Sequence, residues 1–323
     1  MQYVGIITQQ ERNNRLSILL LLLFPLIILG IVLLFFVIAM YFNGPVYDIN
    51  GYPVEGLDWN SILDYYVAAV PWVIVFVGIW FLISYFSNVS LIRHATGARP
   101  LERKENPHIY NMVENLCMSC GMNTPKINVI NDPELNAFAS GIDEKSYTIT
   151  LTTGIIEKLE DDELEGVIGH ELTHIRNKDT RLLIVSIIFV GILATMASIL
   201  WNVLYYIPAR RSNGKSGAVI MGAMLIALVC CGIGYFFTIL TRFAISRKRE
   251  FMADAGGAEL TGNPVALASA LRKISAEPGL TNVKRDDVAQ LFIYHKINGG
   301  NLFNHLFSTH PDIKERIRIL EQF

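Results

Sequence analysis

Four stretches of the chain, at about 16–42, 66–87, 181–207 and 217–241, are apolar almost without interruption, and polar, charged segments separate them. Each meets or exceeds the roughly 20 residues that cross a hydrocarbon core. The first is too long for the apolar part of a signal peptide, and no small-x-small cleavage site follows it, so it reads as a retained anchor. Uncharged runs of this length are rare in soluble folds, so the last pair reads as a helical hairpin in a membrane rather than one buried in a core. The pattern divides the chain into a polar lead (1–15), two transmembrane helices with an intervening loop (16–87), a first soluble block (88–180), a membrane hairpin (181–241) and a second soluble block (242–323).

The soluble blocks carry shorter periods. Residues 107–120 have the spacing of an amphipathic helix that stops at Gly121. Lys126–Ile130 predicts a strand, Asn131-Asp132-Pro133 a turn, and Asn136–Ala139 a short second strand closed by Ser140-Gly141. Tyr147–Leu151 alternates with threonine, as a half-buried strand does. Gly154–Leu159 reads as a short helix, and Asp161 or Asp162 as the cap of the next one. In the second block, Glu250–Leu260 has helical spacing, Asn263-Pro264 starts a further helix through Ile274, and Pro311–Leu320 forms a terminal one. Residues 277–301, rich in Gly, Asn and charge, look least structured.

Charge sets an orientation. The 43–65 loop holds Asp48, Glu55, Asp58 and Asp64 but neither Lys nor Arg, whereas Arg93, Arg99, Arg103 and Lys104 follow the second run. Basic flanks favour the cytoplasm, so the loop is expected outside and everything after about residue 88 inside. The connection 208–216, with Arg210, Arg211 and Lys215, would then face outward against that tendency. With 52% hydrophobic residues, a net charge of −2 and no basic stripe interleaved with aromatics, nucleic acid is excluded as a partner. Cys117 and Cys120 form a C-x-x-C without a second ligand pair or a thioredoxin-like setting, so reduced thiols are expected. Cys230 and Cys231 fall in the fourth apolar run as packing residues. His94, His108, His295 and His305 have no partner pattern.

The chemistry concentrates in His170-Glu171-Leu172-Thr173-His174, an H-E-x-x-H in a helical segment. Positions i and i+4 share a helix face, so both imidazoles reach one ion while Glu171 stands by as base. A catalytic zinc takes three protein ligands and keeps one position open. Glu250 is the best third ligand, with Asp254 one turn on to accept the outer N–H of a ligand imidazole. From spacing alone, an ordinary solvated acidic pair beside a basic run fits Glu250 and Asp254 equally well. If both segments hold one ion, the chain between them crosses the membrane an even number of times.

Asn136-Ala137-Phe138-Ala139, the H-E-x-x-H at His170, the S-R-x-x-E-x-x-A-D segment from Ser246 and Ser308-Thr309-His310-Pro311 occur in that order along the chain and together resemble the HtpX-like bacterial membrane metallopeptidases over nearly the whole chain. The resemblance implies a mainly α fold with a small β-sheet. It implies four transmembrane helices plus a zincin-type (gluzincin) metalloprotease domain built from 88–180 and 242–323. It implies one zinc per chain on His170, His174 and Glu250, with Asp254 behind them and Glu171 as general base. His310 is expected to donate to the oxyanion, although a Thr-His-Pro taken alone is a turn with a surface histidine, and Arg316 is expected near the reacting carbonyl. Asn136, Ala137, Phe138 and Ala139 are expected to form an edge strand that pairs with an extended substrate. The expected activity is endopeptidase cleavage of membrane or misfolded polypeptides at the cytoplasmic face of a bacterial inner membrane, in quality control and stress response. A prenyl-protein-type peptidase would need more membrane helices. A non-catalytic zinc scaffold or sensor would not need Glu171, and a transporter would want ionisable residues in the apolar runs.

Overall fold

The computed structural model describes residues 6–43, 57–206, 249–276 and 312–323, together with scattered helical positions between 222 and 235. The chain forms two compact units: Met1–Ser17, Tyr85–Val185 and Leu240–Phe323 make one, and Ile18–Ser84 with Ser186–Ile239 the other. The fold is mainly helical with one small mixed sheet.

The second unit holds the middles of long helices. Helices α1 (Ile6–Asn43) and α2 (Trp59–Thr96) contain 38 residues each. Their windows Leu22–Tyr41 and Trp59–Ser87, of mean hydropathy 3.2 and 2.4, are long and apolar enough to cross a membrane. Leu22, Leu26, Val67 and Trp72 are exposed on them, as lipid-facing side chains are. Pro25 and Pro71 lie inside these helices, a placement apolar helices tolerate. Of the four expected spans, these two qualify among the described residues. The third run forms part of α6 (Asp179–Tyr206), whose qualifying apolar stretch is the shorter Gly191–Asn202. The fourth, and the 208–216 connection, fall largely outside the described residues.

Helix α2 begins earlier than its apolar run suggests. The Asp58 carboxylate accepts the N–H groups of Asn60 at 3.1 Å and Ser61 at 3.2 Å and the Ser61 hydroxyl at 2.6 Å. These bonds occupy backbone donors that a helix start leaves free, so the polar residues 59–65 are helical rather than loop.

In the first unit, β1 (Arg99–Pro100), β2 (Lys126–Ile130), β3 (Ala137–Ser140) and β4 (Thr148–Thr152) form a sheet of order β1-β2-β4-β3. Strands β2 and β4 pair in parallel, and β3 pairs antiparallel with β4 along the outer edge. All of β4 is buried, so the half-buried strand expected from its threonines is corrected. Their hydroxyls are satisfied inside: Thr148 meets Ser140 at 2.6 Å, and Thr152 donates to the Glu134 and Asn136 carbonyls at 2.6 and 3.0 Å. A hydroxyl with a partner no longer resists burial.

Helices α3 (Pro107–Ser119), α4 (Thr153–Lys158), α5 (Asp161–Arg176), α7 (249–261), α8 (Pro264–Ala276) and α9 (Ile313–Leu320) complete the unit. One core joins α3, the sheet, α5 and α8 through Val113, Leu116, Ile127, Ile149, Leu151, Val167, Ile168, Leu267 and Leu271. The α5 cap is Glu160, not Asp161 or Asp162: Glu160 and Glu163 form a capping box, which leaves Asp161 free to contact His108 at 2.9 Å. Asn263 caps α8 by accepting the Ala266 N–H at 3.1 Å, with Pro264 at its first position.

Candidate active site

The site forms where α5 and α7 touch, and glycines let them approach. A Cβ on Gly257 would lie 2.8 Å from the His170 nitrogen, and one on Gly256 would collide with the Thr173 side chain. With no side chains in the way, α7 lies against the turn of α5 that carries the histidines, and its Glu250 and Asp254 face that turn.

His170, His174 and Glu250 each offer a ligand atom within 4.8 Å of the others. The two Nε2 atoms are 3.2 Å apart. His174 Nε2 lies 3.5 Å from Glu250 Oε1, and His170 Nε2 lies 3.8 Å from Glu250 Oε2. A tetrahedral zinc with bonds of about 2.0–2.1 Å needs donor–donor edges of roughly 3.3–3.4 Å; the imidazole pair sits near that value, and Glu250 presents one oxygen to each imidazole at 3.5 and 3.8 Å.

The outer nitrogens decide what the inner ones present. His170 Nδ1 is 3.0 Å from Asp254 Oδ1, and His174 Nδ1 is 3.0 Å from Asp179 Oδ2. A carboxylate at Nδ1 keeps the proton there. Both Nε2 lone pairs then turn toward each other and toward a carboxylate, an arrangement that repels itself unless a cation sits between them. Burial opposes protonation of His174, but the Asp179 hydrogen bond and the Glu250 charge outweigh it and push its pKa up to about 9; the same negative surroundings that draw a proton to the ring favour a metal cation that displaces it. The donor set therefore fits zinc.

Each carboxylate has an arginine behind it. Arg316 Nε and Nη2 donate to the two Asp254 oxygens at 2.7 Å each, and its Nη1 lies 3.0 Å from Glu250 Oε2. Burial works against this cation, yet Asp254 and Glu250 hold it charged. Burial likewise raises the Asp254 pKa, and the Arg316 charge more than reverses this, leaving it low. Arg249 Nε lies 3.3 Å from Asp179 Oδ1.

Glu171 is 2% exposed. Burial raises its pKa, the His170 and His174 charges oppose that, and the Ala139 backbone N–H bonds to its carboxylate. This contact ties Glu171 to the edge of the sheet. Thr152 N–H donates to the Asn136 carbonyl at 3.1 Å. In an antiparallel pair, alternate residues face the partner, so Phe138 and Ser140 turn their main-chain groups to β4 while Ala137 and Ala139 turn theirs to the free edge. Asn136 precedes the strand rather than starting it, and its side chain accepts the Ala137 N–H at 2.9 Å. Phe138 is fully buried.

The structure brings His170, Glu171, His174, Glu250, Asp254 and the β3 edge together. Arg316, expected at the reacting carbonyl, instead has its guanidinium on Asp254 and Glu250 and is 1% exposed. His310 lies outside the described residues. Sequence reasoning missed Asp179 and Arg249. An acid five residues past His174, just beyond the motif helix, was the available signal for one. Arg249 was absorbed into the basic run beside Glu250 and Asp254.

Residues 103–323 match the model of Peptidase family M48. The chain belongs to that family. A "Protease HtpX homolog" of Bacteroides fragilis (strain YCH46) is 55% identical, with 100% of each chain covered. A "Protease HtpX homolog" of Dictyoglomus thermophilum is 41% identical over 73% of this chain and 76% of its own. Among solved structures, the crystal structure of S. mikatae Ste24p shares the fold at a TM-score of 0.51 and 21% identity, covering 81% of this chain and 61% of that one. M48 peptidases are zinc-dependent metallopeptidases, and this HtpX-like M48 peptidase is a membrane metalloprotease acting on polypeptides. At this identity the likeness concerns the fold alone.

Proposed function

We propose that this M48 peptidase cleaves membrane or misfolded polypeptides at the cytoplasmic face of a bacterial inner membrane, with His170, His174 and Glu250 holding zinc and Glu171 as the base. The convergence of the Glu250 carboxylate and two imidazoles, each with a further carboxylate 3.0 Å from its Nδ1, carries the reading. A bound zinc supplies Lewis-acid polarisation of the peptide carbonyl and lowers the pKa of water. Glu171, buried beside the donor set, takes the proton of the attacking water and passes it to the departing amine; its raised pKa suits a group that must both accept and return a proton. The outward-turned main chain of Ala137 and Ala139, whose N–H groups are held by the Asn136 side chain and the Glu171 carboxylate, is the strand edge along which an extended substrate would pair, displacing those side chains from the N–H groups. His310 is proposed as the oxyanion donor, on the family motif alone.

Segments before and after 181–241 meet at one donor set, so the chain between them leaves and returns on the same side. The basic residues after the second apolar run favour the cytoplasm, and four membrane helices satisfy both conditions.

Glu171→Gln keeps the shape and removes the base. Purified in detergent, the variant is expected to hold one zinc and to cleave neither casein nor a model membrane protein, and wild type treated with a chelator is expected to be equally inactive until zinc returns. Cleavage by the metal-replete variant at the wild-type rate would overturn the assignment.

A further inference from the structure

The outer carboxylates of the two histidines come from different places. Asp254 lies on α7, one turn from Glu250, on the helix that already contributes to the donor set. Asp179 is the first residue of α6. Helix α5 ends at Asn177, and Lys178 adopts φ 59°, a left-handed turn that non-glycine residues seldom take. The N–H of Asn177 still bonds to the Thr173 carbonyl at 2.9 Å and that of Lys178 to the Ile175 carbonyl at 3.0 Å. This tight reversal places Asp179 against the His174 ring, where both side chains are largely buried (6% and 14% exposed). The second Asp179 oxygen is 3.3 Å from Arg249 Nε. Arg249 is itself 8% exposed and immediately precedes Glu250.

We infer that Asp179 is a positioning residue for zinc binding: its carboxylate fixes the orientation of the His174 ring through Nδ1, and Arg249 holds that carboxylate in place. The inference rests on the zinc site proposed above. Two things follow from the geometry. Arg249 and His174 address different oxygens of one carboxylate, so Arg249 acts on the metal site through Asp179. And because Asp179 opens α6, the His174 imidazole is held by the root of a helix that continues into an apolar stretch, whereas the His170 imidazole is held by the helix that carries the third ligand.

The test uses the full chain in detergent. Zinc affinity is measured by chelator competition, the visible absorption of the cobalt-substituted protein reports ligand geometry, and apo-protein melting reports folding. Asp179→Asn keeps the shape and an acceptor for the His174 N–H but removes the charge. It is expected to weaken zinc by about 10–100-fold, shift the cobalt band and leave apo melting close to wild type. Asp179→Glu is expected to recover part of the affinity. Arg249→Gln is expected to weaken zinc alone, yet add little in the Asp179→Asn background. Wild-type affinity and an unshifted cobalt band in Asp179→Asn would overturn the inference, as would lower apo melting with unchanged affinity, which marks a purely structural role. If Asp179→Asn does not fold, the Asp179→Glu and Arg249→Gln measurements decide by the same criteria. Zinc missing from wild type would remove the site reading as well; zinc held equally by wild type and Asp179→Asn would remove this inference alone.

Discussion

Arg316 is the largest fully buried side chain of the chain's described residues, and its neighbours explain why it is charged there. Two carboxylates on one helical turn, Glu250 and Asp254, would repel each other inside the protein, and the guanidinium fork bridges them. Removing one partner of such a buried pair typically destabilises by roughly 3–5 kcal/mol because the remaining charge is stranded. Arg316→Ala is therefore expected to lower the unfolding free energy by that order and reduce bound zinc, and Arg316→Lys, lacking the fork, to recover only part; calorimetry and metal analysis check both. H-E-x-x-H was legible from the sequence because helical periodicity alone sets its geometry. Glu250 became legible only through the family motif, since seventy-odd residues of chain separate it from the histidines. The place of Arg316 was not legible: its partners are set by how α9 packs on α7, which no local pattern encodes. Asp179 escaped for a related reason, since its approach to His174 depends on the backbone at Lys178.

Among elements, the contact of α5 with α7 is the tightest constraint on the site. Gly257→Ala puts a methyl against the His170 backbone, an overpacking that typically costs about 1–3 kcal/mol. Lower melting together with weakened zinc retention is expected, because α7 can relieve the clash only by moving Glu250 away. Helix α8 is tied to the start of α5 by Glu163, which accepts from Ser269 Oγ and Lys273 Nζ at 2.6 Å each. Burial raises the Glu163 pKa, but these bonds and the Glu160 N–H more than offset it, so the folded value lies below the reference of 4.5. A depressed acid adds stability above its unfolded pKa and loses it as the pH falls through the folded one. The melting temperature of wild type should thus fall more steeply below about pH 4.5 than that of Glu163→Gln; parallel curves would show that Glu163 contributes nothing. The caps of α5 and α8 and the spans of β2, β3 and β4 followed from local chemistry to within a residue or two. The full burial of β4 did not, because threonine reads as half-exposed until its hydroxyls are seen to have partners across the sheet.

On the scale of the molecule, the chain's two water-facing blocks share one core and one donor set. If that is so in the membrane, single cysteines placed at the exposed Glu157 and Glu259 should react with an impermeant maleimide from the same side of sealed vesicles. Labelling from opposite sides would rule out the proposed orientation. The apolar runs announced the membrane character from composition alone, but the start of α2 at Trp59 depended on the Asp58 cap.

The main-chain groups that Ala137 and Ala139 turn outward imply something about which bonds survive. If the proposed pairing along β3 holds, a bound chain would be read every second residue through its backbone, with little regard to side-chain identity. A proline at a reading position has no hydrogen to give, and a segment still wound in a helix has none to spare. Selection would then fall on how readily a victim's backbone can be freed from its own structure, so a well-folded neighbour is spared by its stability rather than by its sequence.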